Sequence, residues 1–324
     1  MCTAITYQTK DHYFGRNLDL EYSYQETVTI TPRSFPLSFR KLGKLERHHA
    51  MIGMAYVTGG YPLYYEATNE KGLSMAGLNF PGNARYRTFE SDMDNVAPFE
   101  LIPWVLGRCS SLAQARSCLE RVNLLREPFS PELPLTPLHW MVDGREGALT
   151  VEPGENGLEI YENPAGVLTN NPPFPHQMLN LTNFMNLSCD EPENRFLPGL
   201  ELVPYSRGMG AVGLPGDLSS QSRFVRACFT RLNSVSGNSE EESISQFFHI
   251  LTVVEQQRGC VRLEDGAYEL TLYSSCCNTD RGIYYYTTYE NRALTAVDMH
   301  REELDGSTLA SYPLLTKQRI HRQN

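Results

Sequence analysis

Hydrophobic and polar positions fall into strand-like runs at both ends of the chain, with helix-like runs between them. Residues 3–7 are short and β-rich, and residues 12–17 follow after a Lys-Asp turn, so the two read as a hairpin. Residues 27–31 and 51–57 predict further strands. Residues 73–80 predict a strand leaving the turn Asn69-Glu70-Lys71-Gly72. A helix is predicted over 98–106. Ser111 opens a second helix, with Gln114 as capping-box partner and Leu112, Ala115, Leu119 and Val122 as its apolar face. Strands return at 139–142 and 148–152, joined by a turn over 143–147. Ser222 is the predicted cap of a helix to about Leu232, with Phe224, Val225, Cys228, Phe229 and Leu232 inward, and 243–254 predicts a helix paired with it. The last third is β-type again, at 268–273, 282–289 and 294–299. Residues 128–137 are Pro-rich and 170–194 are rich in Pro and Asn. Both read as long loops, which in compact folds often shape binding sites.

Strands bracketing helices at both ends of the chain do not make a βαβ alternation. The pattern predicts one α+β domain over residues 1–324, with antiparallel sheets that need helices on their outer faces. With 324 residues, 41% of them hydrophobic, the chain can bury a large core. A formal charge of -10 with scattered basic residues argues against nucleic-acid binding. No apolar run approaches the roughly 18 residues of a membrane helix. Lys10, Asp11 and His12 interrupt the N-terminal stretch, so neither membrane insertion nor a secretory signal is expected, and the cytoplasm is the expected location. The eight cysteines form no C-x-x-C pair, and no His stands at zinc-ligand spacing from two of them. Reduced thiols, mostly in the core, and no metal or organic cofactor are expected.

Cys2 changes this bland picture. Removal of Met1 would leave a cysteine carrying a free α-amine. That amine, with a pKa of about 7.7–8, can take the proton of a thiol whose ordinary pKa is about 8.5. One residue then supplies nucleophile and base. A cysteine after Met also arises by chance. The predicted hairpin brings Arg16 and Asp19 back toward Cys2, where a guanidinium favours thiolate and a carboxylate can orient the amine. An ordinary surface Arg–Asp pair is the other reading of these two residues.

Met1-Cys2-Thr3, Gly15-Arg16-Asn17-Leu18-Asp19, Asn69-Glu70-Lys71-Gly72-Leu73 and Gly77-Leu78-Asn79-Phe80 resemble the choloylglycine hydrolase family. So do Leu168-Thr169-Asn170-Asn171-Pro172, Gly213-Leu214-Pro215-Gly216-Asp217, Ser222-Arg223-Phe224 and the run from Gly282 to Tyr289. The segments stand in family order across almost the whole chain. The family comprises bile salt hydrolases and penicillin V acylases, both N-terminal nucleophile hydrolases. The resemblance implies a four-layer αββα fold and a homotetramer. It implies Cys2 as nucleophile, tuned and oriented by Arg16 and Asp19. Asn170 and the backbone N–H of Asn79 would face the oxyanion, and Arg223 would hold the charge network around the sulfur. Read without the family, both asparagines are turn residues.

Asn79, where penicillin V acylases tend to have Tyr, leans toward conjugated bile salts as substrate. Such an amphipathic steroid needs an apolar slot, for which Leu20, Tyr24, Tyr65, Phe129, Leu133 and Leu135 are the candidate walls; ordinary loop packing is their other reading. An acylase of penicillin V or of N-acyl homoserine lactones, and a non-catalytic carrier of amphipathic ligands, are the competing functions. His139 and His249 read as packed core histidines, and Glu240, Glu241 and Glu242 as a solvated helix start.

Overall fold

Strand β1 (Cys2–Gln8) and strand β2 (His12–Leu20) pair antiparallel from Cys2↔Leu18 to Gln8↔His12, forming the predicted hairpin. In the computed structural model, which describes residues 1–324, this hairpin is the centre of a seven-stranded antiparallel sheet. Val167–Leu168 flanks β1. Tyr268–Asn278, Ile283–Thr288 and Thr295–Asp298 follow beyond β2, and Val261–Arg262 pairs with Tyr268–Asn278. The second sheet has eight strands, in the order Gly157–Glu162, Gly147–Gly154, Leu138–Gly144, Ser74–Asn79, Tyr61–Asn69, Met51–Thr58, Thr27–Thr31 and Ala310–Pro313.

Five α-helices cover the outer faces: α1 (Leu101–Arg108), α2 (Leu112–Leu119), α3 (Phe174–Leu181), α4 (Ser220–Asn233) and α5 (Glu240–Thr252). One core places Val105, Leu106, Ala115 and Leu119 of α1 and α2 against Met75, Trp140 and Val142 of the eight-stranded sheet. The other runs from Phe224 and Phe247 of α4 and α5, through β1 and β2, to Ile30, Ile52 and Leu78 between the sheets. This is the four-layer αββα arrangement of an α+β fold. Each fully buried large side chain in it contributes about 1.5–3 kcal/mol of transfer free energy. No helix is long and apolar enough to cross a membrane.

Several local expectations are corrected. No strand is predicted over Tyr61–Asn69, yet it is central to the second sheet; Pro62 and Glu66 interrupt its β pattern, and tertiary burial overrides the interruption. The strand predicted over 268–273 continues to Asn278. The predicted loop 170–194 contains α3, which starts directly after Pro172-Pro173; the same prolines that suggest a loop also favour a helix start. Val122 is not on the α2 face: that helix ends at Leu119, and Val122 begins a short strand parallel to Asp94–Val96. Gln114 reaches the backbone N–H of Ser110 rather than completing a capping box with Ser111. The cap of α4 is Ser219, which accepts from the Ser222 N–H. Leu232 is exposed, because the inner side of that turn is taken by Arg231, which donates to the Thr6 and Ala165 carbonyls. Helix α5 starts before the predicted 243, capped by Ser239 with Glu242, so Glu240, Glu241 and Glu242 form its first turn and complement its dipole. His139 is buried and stacked on Phe80 at 4.3 Å, whereas His249 faces solvent.

Gly15 lies in β2 where the strand Tyr268–Asn278 crosses closest. A Cβ there would sit 2.0 Å from the Ser275 carbonyl oxygen, a backbone atom that cannot yield without opening the pairing. Gly15→Ala is therefore expected to lose about 3 kcal/mol or more of stability, read from the urea unfolding midpoint. A midpoint equal to that of the parent would show that the two strands separate at no cost.

Candidate active site

Cys2 is the first residue of β1. The next strand out, Val167–Leu168, ends opposite Ala4, so the chain beyond it delivers Asn170 beside Cys2. The Cys2 N–H donates to Asn170 Oδ1 at 2.8 Å. Helix α4 sends Arg223 into the same place. Its Nη1 donates to the Cys2 carbonyl at 2.5 Å and to Thr3 Oγ1 at 2.7 Å, its Nη2 to Asn170 Oδ1 at 2.8 Å and its Nε to the Leu218 carbonyl at 3.1 Å. Asn170 Nδ2 donates to the Asn79 carbonyl at 2.7 Å, which ties the end of strand Ser74–Asn79 to Cys2.

The Asn79 N–H is free of the neighbouring strand. Phe80 N donates to the Pro137 carbonyl, so Asn79↔Leu138 is the non-hydrogen-bonded pair next to it, and pairing with Tyr61–Asn69 has already stopped at Ala76. That N–H points to the gap left by the departing strand, where the cavity described below lies.

Ala4↔Arg16 and Cys2↔Leu18 are successive pairs on one face of the hairpin, so Arg16 and Cys2 are diagonal neighbours there. Arg16 is wholly buried. Its Nη1 donates to the carbonyls of Gly77 at 2.6 Å and Tyr65 at 3.2 Å, and its Nη2 has no partner. Burial opposes its charge, but Cys2, Tyr273, Glu66 and Asp19 raise its pKa above the ordinary value.

Asp19 lies three residues along, on the opposite face, so Arg16 and Asp19 do not form a surface pair. Asp19 Oδ1 accepts from Thr271 Oγ1 at 2.6 Å, and Oδ2 is buried without a partner. Burial raises the pKa of Asp19, opposed by Arg223 and the N-terminal amine. Burial lowers that of Arg223, opposed by Asp19, Cys2 and Glu269. With Met1 in place, the terminal amine donates to the Asp19 carbonyl at 2.9 Å and also contacts Glu269.

Cys2, Arg16 and Asn79 open onto a cavity of about 360 Å³, 15 of whose 24 lining residues are hydrophobic. That is a volume and a wall suited to a small amphipathic molecule. Leu20, Tyr24, Tyr65, Phe129, Leu133 and Leu135 all line it, as the sequence predicts. Sequence reasoning missed Phe99 and Ile102 at the start of α1, and Leu63 and Trp140. A register shift opposite Met54/Ala55 puts a β-bulge at Tyr65, and Leu63, Tyr64 and Tyr65 in succession all border the cavity. Asp19 and Arg223 stand behind Cys2, and Asn170, bonded to both Cys2 and Asn79 of the wall, adjoins the cavity at their meeting point. A larger groove, about 770 Å³, adjoins at Glu21; only 6 of its 16 lining residues are hydrophobic and none is a predicted catalytic residue, so the cleft at Cys2 is the candidate site.

All eight cysteines are free. Burial pushes Cys228 and Cys277 up to about 12, while Cys189 and Cys260 are exposed. No three His, Cys, Asp or Glu side chains converge as a metal site.

The choloylglycine hydrolase family of linear amide C–N hydrolases matches residues 2–312. The chain is similar to a bile salt hydrolase/transferase of Lactiplantibacillus plantarum, 53% identical over 100% of both chains, and to one of Clostridium perfringens, 36% identical over 96% of both. A solved structure of a mutant conjugated bile acid hydrolase from Clostridium perfringens superposes with a TM-score of 0.92, at 35% identity over 100% of both chains. A penicillin V acylase from Agrobacterium tumefaciens has a TM-score of 0.74 at 18% identity, covering 96% of this chain and 90% of that one, and shares the fold. Cys2, held at the start of β1 on the wall of a mostly apolar cleft, together with a match of this length, places the chain in the choloylglycine hydrolase family of linear amide hydrolases.

Proposed function

We propose that this chain hydrolyses the amide bond of glycine- or taurine-conjugated bile acids, with Cys2 as nucleophile once Met1 is removed. The observation that carries this reading is the placement of Cys2 and Arg16 on the wall of a mostly apolar cavity, in a chain 53% identical to a bile salt hydrolase/transferase.

The steroid lies between Leu20, Tyr24, Tyr65, Phe129, Leu133 and Leu135, and its amide carbonyl meets Cys2. The α-amine takes the thiol proton, and Arg16 favours the thiolate that attacks. Charge gathers on the carbonyl oxygen, where the Asn79 N–H and the second Nδ2 hydrogen of Asn170 stabilise it. A donor of this kind is worth about 3–4 kcal/mol. The amine returns its proton to the departing glycine or taurine, leaving a thioester that water hydrolyses. Asp19 Oδ2, buried without a partner, is the acceptor that orients the α-amine, and Arg223 holds the Cys2 backbone. An amine taking the place of water at the thioester gives acyl transfer, and the Lactiplantibacillus relative is named a hydrolase/transferase. The chain acts as one unit over residues 1–324, in the cytoplasm.

Intact-mass measurement is expected to find a chain starting at Cys2, and Cys2→Ser to keep the fold and lose nearly all activity. Glycocholate and taurocholate should exceed penicillin V by about tenfold in kcat/KM, which needs only about 1.4 kcal/mol of better pocket fit. Full activity with Met1 retained would defeat the mechanism. Equal turnover of penicillin V would leave the cysteine chemistry and overturn the substrate, and binding of glycocholate without turnover would indicate a carrier.

Asn170→Ala is expected to lower kcat by roughly 10²–10³ with a smaller change in KM, because the lost donor acts on the transition state. A change confined to KM would make Asn170 a substrate-binding residue.

Assembly as a homotetramer is supported by apolar side chains displayed between α3 and α4. Met185, Phe196, Val203 and Tyr205 are each more than 80% exposed there: 82%, 83%, 81% and 85%. Light scattering should give four times the chain mass of 36.7 kDa, and Phe196→Ser with Val203→Ser should reduce it. A monomer in the parent protein would refute the assembly.

A further inference from the structure

Glu66 is wholly buried between the two sheets, does not line the cavity, and yet converges on Arg16. Its Oε2 lies 3.8 Å from Arg16 Nη1 and accepts from the Tyr273 hydroxyl at 2.8 Å. Its Oε1 accepts from the Tyr284 hydroxyl at 2.5 Å and from Ser275 Oγ at 3.0 Å. Ser275 Oγ in turn accepts from the backbone N–H of Arg16 at 3.2 Å. The carboxylate therefore reaches Arg16 twice, once at the guanidinium and once, through Ser275, at the main chain. Every neutral polar group aimed at it is a hydroxyl donor, which suits an ionised, acceptor-only carboxylate. Burial pushes its pKa up, against the opposing pull of Arg16 and these three hydroxyls. The two carbonyls on Arg16 Nη1 offset its desolvation only in part, and Glu66 is the carboxylate within ion-pair distance of this fully buried guanidinium.

We propose that Glu66 is a positioning residue for the amide-cleaving reaction: its carboxylate is the counter-ion that holds the Arg16 guanidinium in place against Cys2. This rests on the role proposed above for Arg16. Tyr273, Ser275 and Tyr284, all from the seven-stranded sheet, orient the carboxylate carried by the other sheet, so the contact also fixes the distance between the two sheets at the nucleophile.

The test is a double-mutant cycle in the full-length protein, read with glycocholate. Glu66→Gln keeps the shape and removes the charge. It is expected to lower kcat at least about tenfold with KM within about twofold, since Glu66 touches no part of the cavity. Glu66→Asp, which keeps the charge, should recover part of the loss. In an Arg16→Gln background the Glu66→Gln substitution should cost less than about twofold, because its effect passes through Arg16. If Glu66→Gln does not accumulate as folded protein, Tyr284→Phe removes one donor to the carboxylate. It should give a smaller, KM-neutral loss that likewise vanishes with Arg16→Gln. Equal losses in both backgrounds, a loss expressed in KM, or parental kcat in Glu66→Gln or, where that variant does not fold, in Tyr284→Phe would overturn the proposal. Parental kcat in Arg16→Gln alone would instead overturn the role of Arg16 on which it rests.

Discussion

The active end of this molecule depends on the pairing of charges that have been carried out of water. Arg16 and Arg223 are both 0% exposed, and Asp19 and Glu66 are buried with them. An ion left unpaired in such a place costs several kcal/mol, so each cation has to be enclosed by acceptors. Most of those acceptors are main-chain carbonyls on separate elements: Cys2 of β1 and Leu218 just before α4 for Arg223, Gly77 and Tyr65 of two strands for Arg16. Satisfying the charges therefore fixes where β1, the start of α4 and the strand Ser74–Asn79 stand relative to one another. Cys2 lies at their meeting point.

The two arginines divide the labour by face. Residues 16, 18 and 20 of β2 look into the space between the sheets, and residues 17 and 19 look toward α4 and α5. Arg16 accordingly shares the side-chain face of Cys2, while Asn170 and Arg223 bond its backbone. The nucleophile proposed here, at the first position of a strand, gains from this: its side chain, its amide nitrogen and its carbonyl each have a separate neighbour. Pre-placed groups of this kind cost no reorganisation when charge develops on a substrate.

The cavity follows from a fault in the sheet. The bulge at Tyr65 breaks the in–out alternation, so consecutive side chains border one space, and pairing between Tyr61–Asn69 and Ser74–Asn79 stops short of Asn79. The Pro-rich segment with Phe129, Leu133 and Leu135, and the entry to α1 with Phe99 and Ile102, close over the gap. Apolar walls from these loops face a polar floor from the strands, which matches a molecule with an apolar body and an amide at one end.

Local pattern carried the opening hairpin, the strand Thr27–Thr31, the turn at Gly72 and the α+β character, since each depends on neighbours within a few residues. The order of the motif segments carried the family and pointed to Cys2, Arg16, Asp19, Asn79, Asn170 and Arg223, which the fold brings together, and to six residues that line the cavity. The sequence could not reveal the strand Tyr61–Asn69, helix α3 within the supposed loop, or the cap at Ser219. A carboxylate in a strand, a proline pair and a run of serines are locally ambiguous, and only burial against distant elements resolves them. For the same reason Glu66 is unremarkable in sequence. Its partners stand at positions 16, 273, 275 and 284, and only the packing of one sheet on the other brings those four residues around a single carboxylate.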